Sequence, residues 1–103
     1  MKPQKKASFK MAQPFFDKML RDPEIRMHYK QEKAKTHIAY AVRAVRTRAG
    51  LTQAELAKKI GTAQSVIARL ESGSDKRTPS LDLLSRVASA CDAELELGFK
   101  FAS

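Results

Sequence analysis

The sequence predicts a mainly α-helical domain that ends in one C-terminal β-strand. Three observations predict it. Apolar residues recur at helical spacing through most of the chain after Pro14. Gly50, Gly61 and Gly73 break that pattern at points where helices must stop or turn. The stretch Glu94-Leu-Glu-Leu-Gly-Phe-Lys-Phe101 instead alternates polar and apolar residues, the period of a strand.

Taken in order, residues 1–13 are Lys- and Gln-rich with little apolar content and read as a flexible basic arm. Residues 14–35 form an N-terminal helical extension. Pro14 opens a short amphipathic turn, Phe15 to Leu20. Asp22 then stands as N-cap to a helix whose first residue is Pro23. That helix runs to about Ala49, with a break near residues 34–37 left open. Ile38, Val42 and Val45 give it a core stripe, Gly50 stops it, and Leu51 follows just beyond.

Residues 36–92 hold the principal domain. Between Leu51 and Gly73 lie two short helices joined by a turn at Gly61, which takes a left-handed conformation without steric cost. Thr52 and Thr62 can each cap a helix, and Glu55 completes a capping box with Thr52. Leu56, Ala57 and Ile60 share one face of the first helix. Ile67 and Leu70, with Val66 nearby, share a face of the second. Gln64, Ser65, Ala68 and Arg69 are left pointing away from the core. A polar loop from Ser74 to Pro79 leads to a helix capped by Ser80. Its core side is Leu81, Leu84, Val87, Ala88 and Cys91. Residues 93–103 form the terminal strand. A lone strand cannot satisfy its own backbone groups, so pairing with a second copy through Leu95, Leu97, Phe99 and Phe101 is the economical arrangement. The alternatives are packing on its own domain or fraying.

The spaced set Gln53, Glu55, Leu56, Ala57, Gly61, Gln64, Ile67, Leu70, Glu71 and Gly73 resembles the Xre family of helix-turn-helix proteins, the group of the lambdoid phage repressors and Cro proteins. The likeness spans His37 to Asp92, about half the chain. It implies a lambda-repressor-like helix-turn-helix bundle in which the helix from Ala63 to Ser72 lies in the major groove of double-stranded DNA. Side-chain chemistry then assigns roles. The Gln64 amide can bond adenine N6 and N7 together, and Arg69 can grip guanine or a nearby phosphate. Ser65 bonds several bases, and Ala63 and Ala68 suit a thymine methyl. In the family, the position of Gln53 contacts phosphate and braces the reading glutamine. Thr52, Thr62, Lys76 and Arg77 are further phosphate candidates. Arg46 and Glu71 match a family ion pair behind the reading helix. A dimer would place two reading helices about 34 Å apart, implying an inverted-repeat operator.

Charge agrees with a polyanionic partner. The chain carries 20 Lys and Arg against 11 Asp and Glu, a formal net charge of +9, with nucleic acid favoured over a membrane surface. The imbalance sits at the front, where residues 1–35 hold ten Lys and Arg against four acids. No apolar run reaches the roughly 20 residues of a membrane span, and no secretory signal follows the N-terminal lysines. One cysteine, Cys91, fits a reducing cytoplasm and a buried apolar role. His28 and His37 lack partners at metal-ligand spacing, and there is no nucleophile–base set or phosphate-cradling glycine loop. The sequence therefore predicts neither an enzyme nor a cofactor, metal or small-molecule ligand.

The stretch from Phe15 and Phe16 through Leu20, Asp22-Pro23-Glu24 and Arg26 to Tyr29 resembles the N-terminal segment of HigA-type antitoxins. Those proteins repress their own operon and neutralise a RelE/HigB-like mRNA-cleaving toxin. The resemblance implies an autoregulating antitoxin of a toxin–antitoxin module. Phe15, Phe16, Met19, Leu20, Ile25 and Tyr29 are the candidate toxin-binding residues, and folding back onto the domain's own core is the alternative. A stand-alone phage-type Xre repressor and a protein-bridging coactivator with an Xre domain are the competing functions.

Overall fold

In a computed structural model of the chain, the structure describes residues 14–74 and 76–101. The basic arm expected over residues 1–13 lies outside them. The chain divides into two compact units, with the boundary at Ala34 and Lys35.

In the first unit, residues 14–19 form a short helix, α1. Phe16 and Met19 carbonyls accept from the Leu20 and Asp22 amides at 3.0 and 3.1 Å, which turns the chain toward α2 (Pro23–Arg48). Pro23 is the first helical residue, where its missing N–H costs nothing. The Asp22 carboxylate accepts from the Glu24 amide at 2.9 Å and caps the helix as expected. Phe16 and Tyr29 meet edge to face, with ring centroids 5.2 Å apart and planes at 83°. The break considered near residues 34–37 does not occur, since helix α2 is continuous.

The second unit is a four-helix packing built from the C-terminal part of α2, α3 (Gln53–Ile60), α4 (Gln64–Ser72) and α5 (Leu81–Ala90). Helix α3 packs against both α4 and α5. Leu56 and Ile67 are fully enclosed, with Val42, Ala57, Ile60, Leu70, Val87 and Cys91 around them. Ile38, Val45, Leu51 and Leu84 close the edges of this cluster. The apolar stripes read from the sequence therefore do converge on one core.

Local chemistry sets where each helix starts and stops. The Thr52 hydroxyl accepts from the Glu55 amide at 3.0 Å, and the Glu55 carboxylate accepts from the Thr52 amide at 2.8 Å. This reciprocal box satisfies two of the amides that a helix start leaves without partners. Gly61 has φ 73° and ends α3, while the Thr62 amide turns back to the Ala57 carbonyl at 2.9 Å. Ser80 caps α5 through the Leu83 amide at 3.1 Å. Two cations then tie helix ends across the interface. Arg86 of α5 donates to the Ile60 carbonyl at 2.7 Å, and Lys59 of α3 donates to the Ala90 carbonyl at 3.2 Å. Each helix thus supplies a donor to the carbonyl-rich end of the other.

Three expectations need correction. The β-strand expected over residues 94–101 is absent, and residues 93–101 have no regular structure. Alternation assigns side chains to faces, but a strand exists only when its backbone groups pair, and among the described residues no strand is present to pair with it. Leu97, Phe99 and Phe101 consequently stay exposed. Leu81, expected in the core, is 59% exposed while Leu83 packs against the cluster instead. As the first residue of α5, Leu81 leans off the helix end because Cβ bonds tilt toward the N-terminus. Thr62 does not cap α4, which begins one residue later with Ala63 as a cap that makes no side-chain bond.

Gly61→Ala should cost about 1 kcal/mol, because a Cβ there meets no neighbour but the left-handed backbone is strained. Gly61→Asn should cost less, since asparagine tolerates that region. Chemical denaturation of the three proteins measures the order.

Candidate nucleic-acid interface

The exposed face of α4 can be laid out from its own periodicity. Ile67 and Leu70 are buried, and Val66 and Glu71 are half-buried beside them. At 3.6 residues per turn, the opposite face is centred on Ser65 and Ser72 with Arg69 beside them, while Gln64, one heptad before Glu71, is left open at the helix start. Ser65, Ser72, Arg69 and Gln64 are all exposed. Ala63 is exposed just ahead of the helix, and Ala68 is half-buried on the same side. Together these residues present an amide, two hydroxyls and a guanidinium along the nine residues of α4.

What holds this face still is a polar network beneath it. Arg46 of α2 forms a two-pronged pair with Glu71 of α4, Nε to Oε2 at 2.6 Å and Nη2 to Oε1 at 3.0 Å. Its remaining nitrogen, Nη1, donates to the Leu51 carbonyl at 2.7 Å. Gln53 donates from Nε2 to Glu71 Oε1 at 3.1 Å. Side-chain exposure is 15% for Arg46 and 4% for Glu71, so the pair is shielded from solvent. Burial pushes the Glu71 carboxyl up. Bonds from Arg46 and Gln53, with the charges of Arg46 and Arg43, outweigh that and hold it below its ordinary value. The bond to Glu71 raises Arg46 correspondingly. One carboxylate therefore joins three segments: α2, the start of α3, and α4.

The phosphate candidates divide in the structure. Thr52 is exposed, and its hydroxyl accepts the cap bond while its proton remains able to donate. Gln53 is half-buried, with its amide nitrogen committed to Glu71. Thr62 is half-buried in the turn. Lys76 and Arg77 are exposed on the loop after α4. Arg69 and Arg77, distant in role in the sequence reading, come together on the walls of one narrow slot with Lys35.

Two residues escaped the sequence reading. Ser72 stands one heptad after Ser65, a spacing that alone would have placed it on the reading face. Its hydroxyl bonds the Arg69 carbonyl at 2.9 Å and lies 2.6 Å from the Ser74 hydroxyl, closing the helix end. Lys35 lies 41 residues from the loop it touches, and no local pattern signals that contact. Cys91, by contrast, is buried as expected, and burial pushes its thiol up.

Residues 42–97 match the helix-turn-helix family HTH_3, more than half the chain. The chain is also 42% identical over 60 residues to a protein of Archaeoglobus fulgidus described as an uncharacterized HTH-type transcriptional regulator. That alignment covers 58% of this chain and 83% of the relative. No solved structure matches the chain significantly. The chain belongs to the Xre-type helix-turn-helix family. It is a DNA-binding transcriptional regulator of that type, a class whose members are normally not enzymes. Among the described residues, no helix is long and apolar enough to cross a membrane.

Arg46→Ala should destabilise the fold by about 3 kcal/mol, because it strands a shielded carboxylate. A Glu71→Gln substitution should cost less, since the amide retains part of the bonding. The depressed carboxyl of Glu71 contributes stability above its unfolded value, and that contribution disappears as pH falls through the carboxylate range. Wild type should therefore lose stability on acidification more steeply than Glu71→Gln, as measured by thermal unfolding across pH.

Proposed function

We propose that the protein is a sequence-specific repressor that autoregulates its own operon as the antitoxin of a HigBA/RelE-type module. The observation that carries the DNA-reading part is the exposed face of α4, braced from behind by the Arg46–Glu71–Gln53 network. A rigid helix with donors and acceptors on one side suits base edges in a major groove. Gln64 reads adenine, Arg69 takes guanine or an adjacent phosphate, and Ser65 adds a further hydroxyl contact. Ala63 and Ala68 supply methyl contact. Thr52, Gln53, Thr62, Lys76 and Arg77 contact the backbone and set the register.

Support for a protein partner comes from the first unit. Phe15, Ile25, Met27 and Tyr29 are exposed there, with exposures of 69, 39, 62 and 37%. Phe16, Met19 and Leu20 are half-buried among them. So many apolar side chains at the surface of so short a segment mark an anchoring surface. The partner is a RelE/HigB-like toxin. Because this end of the chain is basic, apolar anchoring rather than charge attraction holds a basic toxin. Dimerisation is supported separately by Leu95, Leu97, Phe99 and Phe101, which the single chain leaves uncovered. A second copy covering them places two reading helices on successive turns of an inverted repeat.

Titration against the DNA upstream of its coding frame, with competitor present, tests the first part. Gln64→Ala and Arg69→Ala should each cost about 1–3 kcal/mol at the specific site and little on random duplex. Equal losses on both would remove the base-reading assignment. Co-expression with the product of the adjacent reading frame tests the second. Wild type should rescue growth and co-purify with that product, whereas Phe15→Ser with Tyr29→Ser should not while retaining operator binding. Loss of operator binding by that variant, or rescue as complete as wild type, would refute the partner surface.

A further inference from the structure

The loop between α4 and α5 carries Lys76 and Arg77. Ser74 ties its start to Ser72, and a second hold comes from α2. Gly73 leaves α4 in the left-handed conformation, with φ 70°. A Cβ placed on Gly73 would meet the Ala39 methyl at 3.7 Å, so the start of the loop runs alongside α2. One turn earlier on the same face of α2, Lys35 is half-buried where the residues around it are mostly exposed. Its Nζ donates to the Lys76 carbonyl at 3.1 Å. With Arg69, Leu70, Gly73, Arg77 and Pro79, Lys35 lines a slot of about 10 Å³, which puts it beside both ends of the loop.

We infer that Lys35 is a positioning residue for DNA-backbone binding: by holding the Lys76 carbonyl it sets where Lys76 and Arg77 stand relative to the reading helix. This rests on the DNA-binding reading of α4. The chemistry is specific to an ammonium on a long stem. The Lys76 carbonyl accepts at mid-loop, and Lys35 reaches it from α2 while also lining the slot. The bond spends the amine on the protein backbone, so the phosphate contacts belong to the residues it places. Ordering two cations before DNA arrives removes part of the entropy that binding would otherwise cost.

A double-mutant cycle on an arbitrary duplex tests this, because backbone contacts act on any sequence. Lys35→Met keeps the stem and removes the donor; Lys35→Arg keeps a donor. The Lys76→Ala/Arg77→Ala background removes both placed cations but leaves the Lys76 carbonyl for Lys35 to hold. Lys35→Met should weaken binding about threefold to tenfold in the wild-type background, the worth of one net hydrogen bond. It should be silent in the Lys76→Ala/Arg77→Ala background, and Lys35→Arg should restore most of the affinity. Additive losses would show that Lys35 touches phosphate itself and overturn the inference, as would unchanged affinity. A second readout needs no DNA. Trypsin cleavage after Lys76 and Arg77, followed by mass spectrometry, should be several times faster in Lys35→Met than in wild type or Lys35→Arg. Equal rates would overturn the inference. Faster cleavage in a protein whose wild type binds no duplex would instead refute the DNA reading and leave the hold of Lys35 on the loop standing.

Discussion

The pairing of Arg46 with Glu71 is the interaction on which the rest of the structure depends. The pair is two-pronged, at 2.6 and 3.0 Å, and the third arm of the guanidinium holds the Leu51 carbonyl. Only a planar, five-donor group can make these bonds in one geometry. Apolar packing of Leu56 and Ile67 brings α3 and α4 together, but packing alone leaves a short helix free to rotate or slide. A nine-residue helix has little intrinsic stability in water. The polar network supplies the direction that packing lacks, since a carboxylate bonded from two segments admits one rotation of α4. Ser65, Arg69 and Ser72 are thereby aimed outward as a set, with Gln64 open at the helix start.

This explains how a core and a reading surface are built from the same nine residues. The inner positions, Ile67, Leu70 and Glu71, belong to the fold, and the outer ones make no contribution to the core. Apart from Ser72, whose hydroxyl closes the helix end, their identities are therefore free to answer to a ligand. The loop after α4 extends the same logic. Its cations are exposed, while its backbone is held by a lysine from α2. In both places the functional side chain and the group that positions it are different residues on different elements.

How much of this was legible in the sequence follows from the range of each interaction. The box between Thr52 and Glu55, the left-handed turn at Gly61 and the Ser80 cap act over three residues or fewer, and each stood in the sequence as the structure has it. The core stripes were legible because helical period is a local property, apart from Leu81, whose place at a helix end takes it off the packed face. Thr62 looked like a cap by composition, but the turn ended one residue further on. The absence of the strand was not legible. Alternation over residues 94–101 describes a face, and a ladder requires a second backbone, which none of the described residues supplies. Contacts over long separations, Lys35 with the Lys76 carbonyl above all, leave no periodic trace. The Gln53 amide shows a subtler case: resemblance pointed it to phosphate and to the reading glutamine, and in the structure its nitrogen also bonds Glu71, a contact no local pattern signals.

The central claim is that the outer face of α4, held by Arg46 and Glu71, is where DNA is read. Amide and side-chain NMR signals followed during titration with upstream DNA test it most directly, since every residue reports at once. The account predicts the largest changes at Gln64, Ser65, Arg69 and Ser72, a second group at Thr52, Lys76 and Arg77, and small changes across α1 and the first turns of α2. Changes concentrated in residues 14–34, with α4 unaffected, would contradict it.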